Sequence, residues 1–214
     1  MWRLLEAALD LILPRSARTE RTAHYRSESL VVDIVSQTVQ QHAITSLLRY
    51  QDPAVEDCIR ALKYDGSAHA ATLLAAPLAE FLCEEIAEER RFSPRRALIV
   101  PVPLHTSRER TRGFNQVTRV LAKLPRSFHD GSIAVVRPHA LRRTRNTPHQ
   151  THLDREARLR NVHDAFSVKN APALAHTHVY LIDDVTTTGA TLIESAHPLI
   201  AAGATVTLIA LARA

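Results

Sequence analysis

Short apolar runs alternate with helical patterns through the second half of the chain, the arrangement of a parallel α/β sheet. Ala97 to Val102, Ala165 to Val168, Val179 to Ile182 and Thr205 to Ala210 read as strands, and Ser132 to Val136 as a candidate strand. ALIVPV has the length and branched content of a strand covered on both faces. Phe114, Val117, Leu121 and Leu124 fall at helical spacing just after Gly113, Thr147-Pro148 opens a helix reaching about Asn161, and Gly189 to Ala202 forms a helix between the last two strands. In the first half, Ile44 to Tyr50 predicts a strand. Asp52-Pro53 then starts a helix, with Asp as the cap and Pro in the first turn, that runs to Asp65-Gly66. Ala68 to Glu89 predicts a long helix, kinked or split at Pro77. Residues 14 to 30 have no periodicity and predict a loop or irregular arm, preceded by a short amphipathic helix through Trp2, Leu5, Leu9 and Ile12. The expected fold class is α/β, a mostly parallel central sheet flanked by helices over residues 44–214, with a small helical and irregular appendage over 1–43.

Composition narrows the partners. At 45% hydrophobic and 23% charged, the chain has enough apolar residues for a packed core, which excludes extended disorder. The net charge of +5 is unevenly spread, because residues 108 to 160 hold 13 Lys or Arg against four Asp or Glu. Such an excess calls for an anionic partner, either phosphates on a small ligand or nucleic acid. The two cysteines, Cys58 and Cys83, lack the paired spacing of zinc sites and read as reduced thiols, which fits a cytoplasmic protein. Glu6 and Asp10 interrupt the apolar N-terminal run, so a secretory leader is not expected, and no stretch approaches the ~20 apolar residues of a membrane span.

The candidate chemistry centres on VYLIDDVTTTGAT, Val179 to Thr191. Asp183 and Asp184 fall at the C-terminal end of a strand, where ligands bind in open α/β sheets. Val185, Thr186, Thr187, Thr188, Gly189, Ala190 and Thr191 then form a short hydroxyl-rich loop leading into a helix whose first N–H groups point at the loop's contents. Phosphate satisfies those donors together with the helix dipole. Two acids beside a phosphate make sense only if the ligand also offers hydroxyls, since carboxylates accept hydrogen bonds and repel phosphate. A ribose phosphate supplies both. The competing structural reading is a helix capped by Thr with acids that merely end a strand.

Two basic segments accompany the loop. Leu104, His105, Arg108, Arg110, Arg112, Asn115 and Gln116 follow the strand at Ala97 to Val102, so their cations are candidates for the charge of a pyrophosphate leaving group. Arg143, Arg145, Thr147, Gln150, Arg158 and Asn161 lie in a second stretch with many charges and no apolar anchor, the composition of a lid. A solvated basic loop and a basic turn are the corresponding structural readings.

LIDDVTTTGAT resembles the fingerprint of type I phosphoribosyltransferases, which implies binding of phosphoribosyl pyrophosphate as its Mg²⁺ complex. Together with the two basic blocks, IRALKYDG and GATVTLIALAR, it is similar to the ComF family of phosphoribosyltransferase-like proteins associated with DNA uptake, over roughly Ile44 to Ala210. That resemblance implies that Leu104 and His105 approach pyrophosphate, and that Arg143 and Arg145 lie on a flexible lid. ComF-like proteins commonly begin with a cysteine-paired zinc module. The corresponding stretch here, LPRSARTERTAHYRSES, contains no cysteine, so no structural zinc is expected. Two functions follow as expectations. One is transfer of ribosyl phosphate to a nucleobase-like nitrogen with loss of pyrophosphate, in which Asp183, Asp184, Arg143 and Arg145 would be catalytic. The other is a non-catalytic adaptor in DNA uptake that binds single-stranded DNA or a helicase.

Overall fold

The computed structural model describes residues 15–104, 112–144 and 165–214. Its centre is a six-stranded sheet in the order β1-β2-β8-β7-β3-β4: β1 (Val32–Val39), β2 (His42–Arg49), β3 (Arg96–Pro101), β4 (Val135–Val136), β7 (Thr177–Thr186) and β8 (Thr205–Arg213). All neighbours are parallel except β1, which pairs antiparallel with β2 at the edge. The chain is therefore α/β with a mostly parallel central sheet. A separate two-stranded ribbon joins β5 (Leu141–Arg143) to β6 (Phe166–Val168).

Period-two alternation divides the central strands between two apolar layers. Ala97 and Ile99 of β3, Tyr180 and Ile182 of β7, and Ile209 and Leu211 of β8 face one layer. It is completed by helices α2 (Pro53–Arg60), α3 (Ala68–Phe92) and α4 (Gln116–Leu121). Leu98, Val100, Val179, Leu181 and Leu208 face the other layer, under α5 (Ala190–Ala201). Burial on both faces is why these strands read as continuous apolar runs.

The N-terminal region departs from expectation. Residues 15–23, expected as irregular arm, form helix α1 (Arg15–Ala23). The Arg21 guanidinium donates to both Asp57 oxygens at 2.9 and 2.6 Å, and the Tyr25 hydroxyl donates to Asp57 at 3.1 Å, so α1 is held to α2 by tertiary contacts. Strand β1 also has no counterpart in the sequence expectation. Its hairpin with β2 crosses the expected boundary at residues 43 and 44. Helix α3 runs unbroken through Pro77, three residues beyond the expected end at Glu89. The helix expected to end at Asp65 finishes as a wide turn, Ala61–Asp65, closed by Gly66 in the left-handed conformation. The expected N-terminal helix and the expected helix from Thr147 to Asn161 lie outside the described residues.

Candidate functional site

Strand β7 carries the acids further into the sheet than its apolar run suggests. Pairing with β8 continues through Asp183↔Ala210, Val185↔Ala212 and Thr186↔Arg213, since backbone hydrogen bonding is indifferent to the polarity of the side chains. The loop that follows is tight. Gly189 has φ 75°, and a Cβ there would stand 2.3 Å from Cδ1 of fully buried Ile44. Only glycine fits both the backbone angle and the contact. Side chains of Asp52, Ser67 and Asn115 cap α2, α3 and α4, whereas α5 begins at Gly189, which has no side chain to cap it, and only the Thr188 hydroxyl, accepting the Ala190 N–H at 3.5 Å, reaches its first turn. Its first-turn donors face the loop, where Thr187 and Thr188 are exposed, Ala190 and Thr191 half-buried, and Thr186 buried.

The two acids differ in their partners. Asp184 accepts from its neighbour's N–H at Val185 (2.8 Å) and from Gln116 Nε2 (2.7 Å), so α4 fixes its orientation. Asp183 accepts the Asp184 N–H at 2.9 Å. Burial, and then the charge of Asp184, push the Asp183 carboxyl well above the usual carboxylate range, with the Arg143 charge pulling the other way. An acid in that state is stabilised by any ligand hydroxyl that donates to it.

The basic residues arrive from two sides. Gln116 is buried and accepts from Arg112 Nη1 at 2.8 Å, so one amide ties Arg112 to Asp184. Asn115 caps α4 through the Thr118 N–H and also donates to the Val102 carbonyl at 3.0 Å, while the Val102 N–H donates to Ile182 at 2.8 Å. Half-buried Leu104 follows two residues after Val102. Arg143 sits on strand β5 rather than on a free loop, its guanidinium 5.4 Å from the centre of the Phe166 ring. The structure thus brings Asp183, Asp184, Arg112, Asn115, Gln116 and Arg143 together at the end of β7; Val185 and Thr186, expected in the loop, are paired with β8, and Ala190 and Thr191 belong to α5, so the loop itself is Thr187 to Gly189. His105, Arg108, Arg110, Arg145, Thr147, Gln150, Arg158 and Asn161 lie outside the described residues.

Sequence reasoning passed over one element of this neighbourhood, the wide turn Ala61–Asp65. Arg112 and Lys63 lie 6.0 and 5.7 Å from the centre of the Tyr64 ring. Arg119 stacks 4.0 Å over Phe114 and donates to the Gly66 carbonyl at 2.7 Å, locking the turn to the start of α4. Turns of this wide type concentrate at functional sites, and the KYDG segment was the available signal. Among the described residues, no group of three or more His, Cys, Asp and Glu could hold a metal ion. No helix there is long and apolar enough to cross a membrane.

Comparison with known proteins gives the chain relatives but no matching family. It is 33% identical over 156 residues to the DNA utilization protein YhgH of Escherichia coli (strain K12), covering 71% of this chain and 63% of that protein. To the Salmonella typhi protein of the same name it is 34% identical over 133 residues, covering 61% and 56%. No protein-family model matches the chain. The chain therefore spans 56% to 63% of the length of these relatives, and what it is similar to over that span are proteins named for the utilization of DNA.

Proposed function

We propose that the chain is a ComF-like protein of DNA utilization whose β7–α5 loop binds the ribose phosphate of phosphoribosyl pyrophosphate, on a fold of the type I phosphoribosyltransferase class. The observation that carries the ligand is the joint placement of a helix N-terminus whose cap residue Gly189 has no side chain, a glycine-only turn and the half-buried Asp183 on one strand end. The loop takes the phosphate, the carboxylates accept from the ribose hydroxyls, and Arg112 lies on the side where pyrophosphate charge would sit. Magnesium enters as part of the substrate complex. The names of the relatives, which speak of DNA utilization, support a DNA-related role more directly than they support turnover; in that role the chain would act as an adaptor for single-stranded DNA or a helicase.

Ribosyl transfer is the second reading, favoured by the carboxylate pair. In that reaction the C1–O bond to pyrophosphate breaks and its electron pair leaves on pyrophosphate. An acceptor nitrogen forms the new C1–N bond and releases its proton to solvent. Asp183 and Asp184 would orient the oxocarbenium-like ribose, and Arg112 and Arg143 would offset charge as the bond opens.

Isothermal titration of the protein with phosphoribosyl pyrophosphate and Mg²⁺ tests the shared core of both readings. Saturable binding is expected, weakened about fivefold or more by Gln116→Ala, since one hydrogen bond to a charged group contributes about 1.5–3 kcal/mol. Absence of binding by the wild-type protein would remove the ligand from the account. Pyrophosphate release across a panel of nucleobases then separates transfer from binding alone.

A further inference from the structure

At the opposite end of the sheet from the β7–α5 loop, α3 finishes in the sequence RRFSPRR, Arg90 to Arg96. Phe92 is its last helical residue and is 82% exposed, more than any other large hydrophobic side chain among the described residues. Arg90, Arg91, Arg95 and Arg96 around it are all exposed. Leaving a whole aromatic ring in water forgoes about 1.5–3 kcal/mol of burial. The ring is thus free to stack on a partner without cost to the core.

Structural roles account for part of the cluster. Arg90 and Arg91 complement the carbonyl end of α3, and Arg90 donates to the Ser132 and Ile133 carbonyls. Arg95 donates to Thr205 Oγ1 at the start of β8. Neither Arg91 nor Arg96 has an ion-pair partner among the described residues, and no structural role covers Phe92. Some of the nearby acids are committed, while exposed Glu88 and half-buried Glu85 share the last turns of the helix with the arginines. Glu89 Oε1 lies 3.2 Å from His178 Nδ1, and Asp130 accepts from Ser132 and pairs with Arg126 at 3.7 Å. Exposed Glu88 and Glu84 lie one and two turns back along the helix. The patch sits beside the N-terminal ends of β3, β7 and β8, where Arg126 and exposed His129 and His176 add donors.

We infer that this end of the sheet, Phe92 with Arg91, Arg95 and Arg96, is a contact surface for single-stranded nucleic acid. Guanidinium groups pair phosphates, and a free aromatic face stacks on a base only where that base is unpaired. A duplex offers its phosphates to the arginines but no ring face to Phe92. An anionic membrane fits less well, because among the described residues Phe92 stands alone: the other exposed large hydrophobics there are Val31, Val32 and Ile34 around β1 and Ile200 on α5. The inference rests on the DNA side of the proposed function and is independent of the ligand at Asp183.

Fluorescence anisotropy with a labelled oligothymidylate, a duplex of equal length, and phosphatidylglycerol vesicles as competitor tests the surface on the full chain. Single strands should bind more tightly than duplex, and Phe92→Ala should weaken them about fivefold or more, with Phe92→Trp restoring binding. Arg91→Ala with Arg96→Ala should flatten the salt dependence by roughly one in log–log slope. Phosphoribosyl pyrophosphate with Mg²⁺ should not compete, because the two sites lie at opposite strand ends. Absent single-strand binding, preference for vesicles, competition by phosphoribosyl pyrophosphate, or binding indifferent to both sets of variants would each overturn the inference. Thermal melts of every variant keep loss of binding separate from loss of fold. Failure of phosphoribosyl pyrophosphate to bind in titration would leave these outcomes unaffected.

Discussion

Asp57 and Asp183 are both partly buried carboxylates, and the fold treats them in opposite ways. Asp57 lies between α1 and α2. Burial pushes it up, but two hydrogen bonds from Arg21 and one from the Tyr25 hydroxyl outweigh that and hold it below the usual range. Asp183 lies at the end of β7. Burial and the charge of Asp184 push it well above the usual range, and Arg143 offsets only part of that. The first acid is a structural anchor. The second carries a cost for ionisation that the fold itself does not offset, which marks it as the candidate functional acid.

The largest effect should come from the loop that places the second acid. Gly189→Val must adopt a left-handed backbone, at about 1–2 kcal/mol, and displace Ile44 from a packed layer, at about 1–3 kcal/mol, so the protein should lose about 3 kcal/mol. Chemical denaturation reads this directly. Adding Ile44→Val removes the clashing Cδ1 and should recover part of the loss; full recovery would show that the backbone angle is not the constraint.

A smaller loss is expected at the anchor. Asp57→Ala strands Arg21 and Tyr25, but the Arg21 side chain is 41% exposed and water re-solvates it, so the cost should be about 1–2 kcal/mol. The adjacent thiol reports the same event. Burial, then the charges of Asp57 and Asp52, push Cys58 up to about 12, leaving it inert, whereas Cys83 is exposed. The folded wild-type protein should therefore take one equivalent of a thiol reagent promptly, and Asp57→Ala should admit the second faster. Equal labelling rates in the two proteins would show that α1 is not held through Asp57.

The same asymmetry explains what could be read from sequence. The strand, tight turn and helix around Asp183 to Thr191 were legible because their cues are local, an apolar run, two acids, hydroxyls, a glycine and a helix start, whereas the extension of β7 through Thr186 was not, because it rests on backbone pairing with β8. The two layers were legible because buried parallel strands are apolar throughout. Residues 15–39 were not, because α1 depends on Asp57, 36 residues away from Arg21, and β1 is an edge strand whose alternation runs only between exposed and half-buried. Gln116 belonged to an expected basic segment, yet its tie between Asp184 and Arg112 is a tertiary fact. Phe92 was invisible for a related reason, since the expected helix stopped at Glu89 and the exposure of a side chain at the true helix end is a tertiary fact.

The proposed role of Asp183 as a ligand acceptor implies a cost to the fold, and the sign of that cost can be measured. A group with a raised folded-state pKa gives stability that is fully present below its ordinary value near ~3.9 and is lost as pH rises through the folded value, so ionised Asp183 detracts at neutral pH. Asp57 has the reverse sign: its contribution is present above the ordinary value and lost as pH falls through the depressed one. The decisive measurement is the melting temperature of wild type and Asp183→Asn at pH 7, with and without phosphoribosyl pyrophosphate and Mg²⁺. The account predicts that the ligand-free variant melts higher than wild type. It also predicts that ligand at about 100 times its Kd raises wild type by roughly 5–10 °C and the variant by little. A variant that melts lower and keeps the full ligand shift would contradict it.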